Sequence, residues 1–208
     1  MTTHLALQRI LLPSAQVSSL TTGSITLPSA RGAFQGRTGK FESIASYQAT
    51  GSQSTINFTS IPSTYQHLQI RMSVLDGGTT GISEFYVRLN NDGTGGNYWK
   101  MRWYADASTT TASTGAVSSE GAWGSPSSRA SCVQYAHAII DFHDYASSTK
   151  YKDIISRGYG MTASSNSVVG SSSSPWLNTS PISQITLDCN MGTWGSSSIF
   201  SLYGIKGS

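Results

Sequence analysis

The fold class is decided by the stretch Gln66-His67-Leu68-Gln69-Ile70-Arg71-Met72-Ser73-Val74. Polar and apolar residues alternate strictly along it, so its four apolar side chains would lie on one face of a strand. A helix would instead place its apolar residues three or four positions apart. The stretch therefore predicts a β-strand whose Leu68, Ile70, Met72 and Val74 enter the core.

Two later stretches repeat this alternation. The residues expected in the core are Phe85, Val87 and Leu89 from residues 84–89, and Trp99, Met101 and Trp103 from residues 98–104. Residues 90–97 between them are rich in Asn, Asp and Gly, which tolerate a positive φ and predict a hairpin over 83–104. Other short candidate strands, bounded by Gly, Pro, Asn or Ser, are 44–49, 54–59, 132–143, 149–159, 182–188 and 197–206.

The composition is typical of a sheet protein whose surface carries hydroxyl groups rather than charge. Only 11% of the 208 residues are charged, whereas 38% are hydrophobic and 10% aromatic. This excludes a disordered low-complexity chain, and no apolar run is long enough to predict a transmembrane helix. The split apolar start of the chain does not resemble a signal peptide. We expect an all-β fold, an antiparallel two-sheet jelly-roll sandwich.

Charge divides the chain into two regions. Residues 1–41 contain four basic residues (Arg9, Arg31, Arg37 and Lys40) and no acid, whereas residues 42–208 contain nine basic and ten acidic residues. Pro and Gly interrupt any periodic pattern in the first region. Its apolar residues, Leu5, Leu7, Ile10 and Leu11, could line one side of a short helix but cannot build a core. We therefore predict an extended N-terminal arm, 1–41, followed by the jelly-roll domain, 42–208.

No catalytic residue, metal site or cofactor is predicted. Asp141 and His143 share a strand face and could hold a metal ion or act as an acid–base pair, but a strand end is favoured because no further ligand segment is evident. Residues 90–97 lack the ligand order of a calcium loop, and no nucleophile elbow occurs. Cys132 and Cys189 are expected as two buried thiols, although a disulfide stays open. Nucleic-acid binding has little support, because the arm is only weakly basic.

Three tryptophans lie in Gly-, Ser- or Pro-rich text that resembles loops: Trp123, Trp176 and Trp194. Long loops are expected over 105–129 and 164–174, where sandwich proteins often bind their partners. Three alternatives stay open for these indoles: packing at the core edge, anchoring a protein interface, or stacking on sugar rings.

Three motifs resemble a family of tailed-bacteriophage virion structural proteins. They are Ile61-Pro62-x-Thr64-Tyr65-x-x-Leu68, Leu89-Asn90-x-Asp92 and Phe200-Ser201-Leu202-Tyr203-Gly204. The resemblance spans residues 42–208 and leaves the arm outside. Physically, Pro62 fixes the approach to a strand, and Gly204 suggests the close approach of a neighbouring backbone. The resemblance implies a fold and a virion origin, and it carries over no catalytic residue.

The resemblance and the charge pattern lead to one functional expectation and an alternative. We expect a capsid cement or decoration protein, located in the virion and assembled in the host cytoplasm. Its expected partners are the major capsid protein and sister subunits in a homotrimer, bound partly through the arm, with no nucleic acid, membrane, cofactor or enzymatic activity. The alternative is a tail-fibre or receptor-binding head domain whose tryptophans bind host glycans. A phage glycan hydrolase is a third, weaker possibility.

Overall fold

The computed structural model describes residues 20–21, 24–25, 39–76, 84–106, 108–117, 122–123, 128–129, 135–161, 167–190 and 192–207. The chain divides into two units, Met1–Gly39 and Lys40–Ser208. In the first unit, the two-residue strands β1 (Leu20–Thr21) and β2 (Ser24–Ile25) pair antiparallel. Most of the predicted arm lies outside the described residues.

In the described part of the second unit, all regular secondary structure consists of β-strands. They are β3 (Phe41–Gln48), β4 (Thr55–Phe58), β5 (His67–Asp76), β6 (Phe85–Leu89), β7 (Tyr98–Ala105), β8 (Thr110–Val117), β9 (Ala122–Trp123), β10 (Ser128–Arg129), β11 (Ala136–Phe142), β12 (Lys152–Met161), β13 (Ser167–Trp176), β14 (Ile185–Cys189) and β15 (Ile199–Ile205). The predicted all-β class is confirmed.

These strands form two sheets. The large sheet has the order β3-β15-β5-β11-β12-β13-β7-β8, and the small sheet has the order β4-β14-β6-β9. Neighbouring strands are antiparallel throughout, except that the two-residue β10 pairs in parallel with β5. The predicted arrangement of two antiparallel sheets is thereby confirmed.

The core consists of the alternating inward side chains of both sheets. The four apolar residues predicted on β5 and the three predicted on β6 are all buried, and Ile185 and Leu187 of β14 pack with them. Each such side chain stabilises the fold by about 1.5–3 kcal/mol relative to full exposure. Period-two patterning therefore identified this part of the core correctly.

The predicted hairpin over 83–104 is wrong, because β6 and β7 belong to different sheets. Residues 90–97 form a corner that carries the chain from one sheet to the other. Asn90 and Asn91 adopt positive φ angles of 51° and 57°, as expected of turn residues. The Asn90 side chain also accepts hydrogen bonds from the backbone N–H groups of Ser183 and Gln184, which fixes the corner against the segment before β14.

Two regions predicted as loops contain strands. The serine-rich residues 167–176 form β13, which pairs with β12 on one side and β7 on the other. Most of its inward positions are small, including the buried Ser172 and Ser174, and the strand ends on the buried Trp176. Residues 110–117 form β8, paired with β7. Both strands are specified by their neighbours more than by their own composition.

Gly204 makes room for a side chain, not for the neighbouring backbone that we expected. A Cβ at this position would overlap the ring of Tyr65. The Tyr65 hydroxyl donates to Glu42 Oε2 at 3.2 Å, and Lys206 Nζ donates to Glu42 Oε1 at 2.6 Å. The hydrogen bond from Lys206 is the main cause that lowers the pKa of Glu42. Two of the motif residues, Tyr65 and Gly204, therefore act together in packing.

Candidate interaction surface

The most unusual surface of the second unit is the outer face of the large sheet, which points away from the small sheet. On β7 this face presents Trp99, Met101 and Trp103, which retain 49%, 63% and 47% of their accessible surface. We call these three residues the ridge. Contiguous exposed side chains of this size are uncommon on a monomer and mark interaction sites.

The ridge corrects the expectation that these three residues belong to the core. The opposite side of β7 faces inward instead: Tyr98 is fully buried beside Trp176, and its hydroxyl accepts the backbone N–H of Leu89 at 2.9 Å. Arg102 Nη1 lies 2.6 Å from Glu84 Oε1 in an ion pair. The inward side of β7 thus finds hydrogen-bond and ionic partners, which leaves the apolar side outside.

Small residues flank the ridge on both neighbouring strands. Trp103 pairs with Ser171 on β13 and Ala112 on β8, while Met101 pairs with Ser173 and Thr114. The large side chains therefore stand above their surroundings. Beside them runs a shallow groove of about 410 Å³, lined by Met101, Trp103, Ala112, Ile155, Ser171 and Ser173 among others.

The other half of the outer face carries a polar network, which we define as Gln69, Arg71, Asp141 and Arg157. Gln69 accepts from Arg71 Nε at 2.8 Å and donates to Asp141 at 2.7 Å. Arg157 lies 3.0 Å from the second oxygen of Asp141. The Arg71 guanidinium also lies over the rings of Phe41 and Tyr203, 5.1 and 5.8 Å from their centroids. The polar groups of the network therefore bind one another.

Asp141 and His143, considered from the sequence as a pair but favoured as a strand end, belong to different clusters. Asp141 belongs to the network, and the His143 ring contacts His67 with centroids 5.0 Å apart. The backbone N–H of Asp144 donates to His67 Nδ1 at 3.1 Å, and Lys150 lies 2.9 Å from the Asp144 carboxylate and lowers its pKa. Among the described residues, no group of three or more His, Cys, Asp or Glu side chains could hold a metal ion.

Two of the three tryptophans proposed as loop anchors lie in the core. Trp176 is 1% exposed at the end of β13 and donates from Nε1 to Asp92 Oδ2 at 2.8 Å, and Trp194 is fully buried against Phe85 and Phe200. The core-packing alternative is therefore correct for both, and their exposed placement is wrong. Trp123 lies on β9 and pairs with Tyr86 of β6, and the structure does not describe its side chain.

The remaining predicted residues are placed only in part. Lys40 is exposed just before β3, whereas Leu5, Leu7, Arg9, Ile10, Leu11, Arg31 and Arg37 lie outside the described residues. Cys189 is buried on β14 as expected, and Cys132 lies outside the described part, so the expectation of two unpaired thiols stays a prediction.

Sequence reasoning missed the ridge because alternation shows which residues share a face, and not which face is covered. A usable signal was the lack of charge in the two strands that flank the ridge: neither 110–117 nor 167–176 contains a charged residue.

Within the described residues, no helix has the length and hydropathy that a membrane span requires. Comparison of the chain with protein-family models, with curated proteins and with solved structures finds no match.

Proposed function

We propose that this chain is a structural protein of a tailed-phage virion, and specifically a cement or decoration protein that binds and stabilises the head lattice. The observation that carries the proposal is the ridge, a large exposed apolar surface on a protein with few charges. Such a surface suits permanent contact with other proteins. The virion assignment rests on the resemblance of the three motifs to phage structural proteins.

We further propose that the second unit is a jelly roll enlarged by two inserted hairpins. Numbered in chain order, the strands β3, β4, β5, β6, β9, β11, β14 and β15 lie in the orders 1-8-3-6 and 2-7-4-5. That arrangement of two Greek keys is the jelly-roll pattern. The hairpins β7–β8 and β12–β13 extend one edge of the large sheet. The ridge belongs to the first hairpin, as expected of a function added to a common fold.

In this proposal the arm fastens the domain to the capsid or to sister subunits. Its four basic residues and absence of acids suit an acidic capsid surface, and its apolar residues would supply buried area. The assembled protein is proposed to be a homotrimer that acts without enzymatic activity, cofactor or nucleic acid.

Binding to undecorated heads tests the cement function. The full chain should co-sediment with such heads in hundreds of copies per particle and raise their resistance to heat. A variant that lacks residues 1–41 should keep its circular dichroism spectrum and stop binding. A full chain that fails to bind heads, or that is present at a few tens of copies or fewer in purified virions, contradicts the proposal.

A second candidate function is a tail-fibre or receptor-binding head domain that recognises host glycans. The observation that favours it is the exposure of Trp99 and Trp103 on one strand face, about 13 Å apart at ordinary strand rise. Exposed indoles can stack on sugar rings. If this function is correct, Trp99→Ala or Trp103→Ala abolishes adsorption to host cells and leaves capsid stability unchanged. The cement function predicts undiminished adsorption.

A further inference from the structure

We propose that the ridge is the surface through which copies of this chain bind one another. This inference rests on the proposed homotrimer and names the residues that hold it together. The occupant of the surface is a second copy of the chain, so the ridge would join cement subunits to one another while the arm binds them to the head lattice.

The first argument comes from the residues around the ridge. The outward positions of β13, β7 and β8 contain no charged side chain. They are Ser167, Val169, Ser171, Ser173 and Pro175 on β13, Trp99, Met101, Trp103 and Ala105 on β7, and Thr110, Ala112, Thr114 and Ala116 on β8. Trp and Met are enriched at the centre of protein interfaces, and charged residues are depleted there. The ridge side of the sheet therefore has the composition of an interface core.

The second argument comes from the edge strand beside the ridge. β8 is the last strand of the large sheet in the described part of the chain, and its sequence Thr-Thr-Ala-Ser-Thr-Gly-Ala-Val has no charge and no proline. Exposed edges are usually protected by one or the other. The opposite edge, β3, carries Glu42, which is paired with Lys206, and a register shift against β15. Of the two described edges of the large sheet, only the ridge edge offers an uncharged approach to another sheet.

The third argument decides between possible occupants. A sugar bound to the ridge would meet Ser and Thr hydroxyls and, on β12, the Asp153 carboxylate, which already accepts a hydrogen bond from Ser173. Specific ligand sites instead combine apolar contact with polar groups precisely placed for the ligand. A charged protein partner would find no charge on the outward side of β13, β7 and β8, and Arg157 on β12 is already paired with Asp141. An uncharged, apolar surface suits contact with an uncharged part of another copy, and around a threefold axis the ridge of one copy would contact the uncharged β8 edge of the next.

The available area is consistent with this occupant. Four strands, β12 to β8, spaced about 4.8 Å apart and about 30 Å long, give about 600 Å² per subunit, with Asp153 and Arg157 of β12 at the polar rim. Two such surfaces bury about 1,200 Å² in total, at the lower end of the range for specific interfaces. Association through an interface of this size should be reversible, so we expect the degree of assembly to depend on protein concentration.

Light scattering on the full-length protein tests the inference. The native chain should give three times its mass of 22.1 kDa at high micromolar concentration and dissociate on dilution. Met101→Lys places a charge at the centre of the ridge and should raise the half-assembly concentration at least tenfold. Because Met101 is already exposed, the circular dichroism spectrum of the Met101→Lys variant should match that of the native chain. Trp103→Ala, which adds no charge, should act in the same direction.

Ile199→Lys is the matched control. Ile199 is 48% exposed on β15 of the same outer face, five strands away from β7, and the change introduces the same charge. It should leave the mass unchanged. If Met101→Lys assembles like the native chain, or if Ile199→Lys dissociates it equally, the inference is overturned while the trimer itself stands. A native chain that stays monomeric at high micromolar concentration overturns the inference and the trimer together, and head binding then tests the cement function separately.

Discussion

The two halves of the outer face differ in whether their exposed side chains already have partners. Over β5, β11 and β12 the network groups bind one another, so Asp141 has acceptor contacts with both Gln69 and Arg157. Over β13, β7 and β8 the ridge has large apolar side chains and no charge. The polar groups of the network are already paired, and the exposed Ile139 and Ile199 of that half lie on separate strands. The contiguous apolar surface of the ridge, in contrast, gains free energy when a partner covers it. The difference indicates which half of the sheet is made for contact.

The largest expected effect separates buried from exposed indoles. Trp176→Ala should lower the free energy of unfolding by about 3–5 kcal/mol, because it opens a cavity beside Tyr98 and removes one of the hydrogen bonds to Asp92. Trp103→Ala should change the unfolding free energy of the monomer by less than about 0.5 kcal/mol, as surface substitutions usually do. Urea denaturation below the assembly concentration measures both. Equal losses would mean that the ridge supports the fold itself.

A smaller effect concerns the corner that holds Trp176. Burial raises the pKa of Asp92, but hydrogen bonds from Trp176, Thr94 and Asn97 outweigh it and lower the pKa to about 2, from an ordinary 3.8. The ionised carboxylate therefore contributes stability above about pH 4 that is lost as the pH falls towards 2. Asp92→Asn should flatten the dependence of the unfolding free energy on pH in this window. An unchanged acid limb would contradict the role given to Asp92.

The strands show which buried faces could be predicted from the sequence and which could not. On β5 and β6 one set of alternating residues is apolar and the other polar, so the covered face was evident. On β7 both sets contain aromatic residues. Which set faces inward depends on contacts with residues far away in the sequence: Arg102 pairs with Glu84, and Tyr98 packs against Trp176. Sequence alone does not contain that pairing.

Two tryptophans were placed in loops for the same reason. Trp176 and Trp194 stand in Pro-, Gly- and Ser-rich text that is typical of loops, yet both are buried. The serines beside Trp176 become a strand because β12 and β7 pair with them on either side. Local composition describes a segment's own preference, whereas burial depends on which segments lie next to it.

A still smaller effect should come from the network. Asp141→Asn removes the charge facing Arg157, whose side chain is largely exposed, and exposed ion pairs contribute about 0–1 kcal/mol. We expect a loss of that size in unfolding free energy and an unchanged half-assembly concentration in light scattering. A large effect on assembly would move the interface from the ridge to the network.

The smallest expected effect is that of salt on assembly. The ridge has no titratable or charged group, so raising the ionic strength from 0.05 to 0.5 M screens only charges at the rim of the proposed interface, Asp153 and Arg157. The half-assembly concentration should stay within about a factor of two, because exposed charges at a rim contribute little free energy. Weaker assembly at high salt would indicate that charged residues outside the ridge hold the copies together.

Oxidative labelling of Met101 tests the central claim most directly, since its side chain is exposed in the single chain and should be covered in the assembly. Hydroxyl-radical labelling of the full-length protein, read by mass spectrometry, would be compared at concentrations below and above assembly. We predict that labelling of Met101 falls several-fold on assembly, while labelling of Ile199 stays constant. Assembly with Met101 labelled as readily as in the monomer would contradict the account.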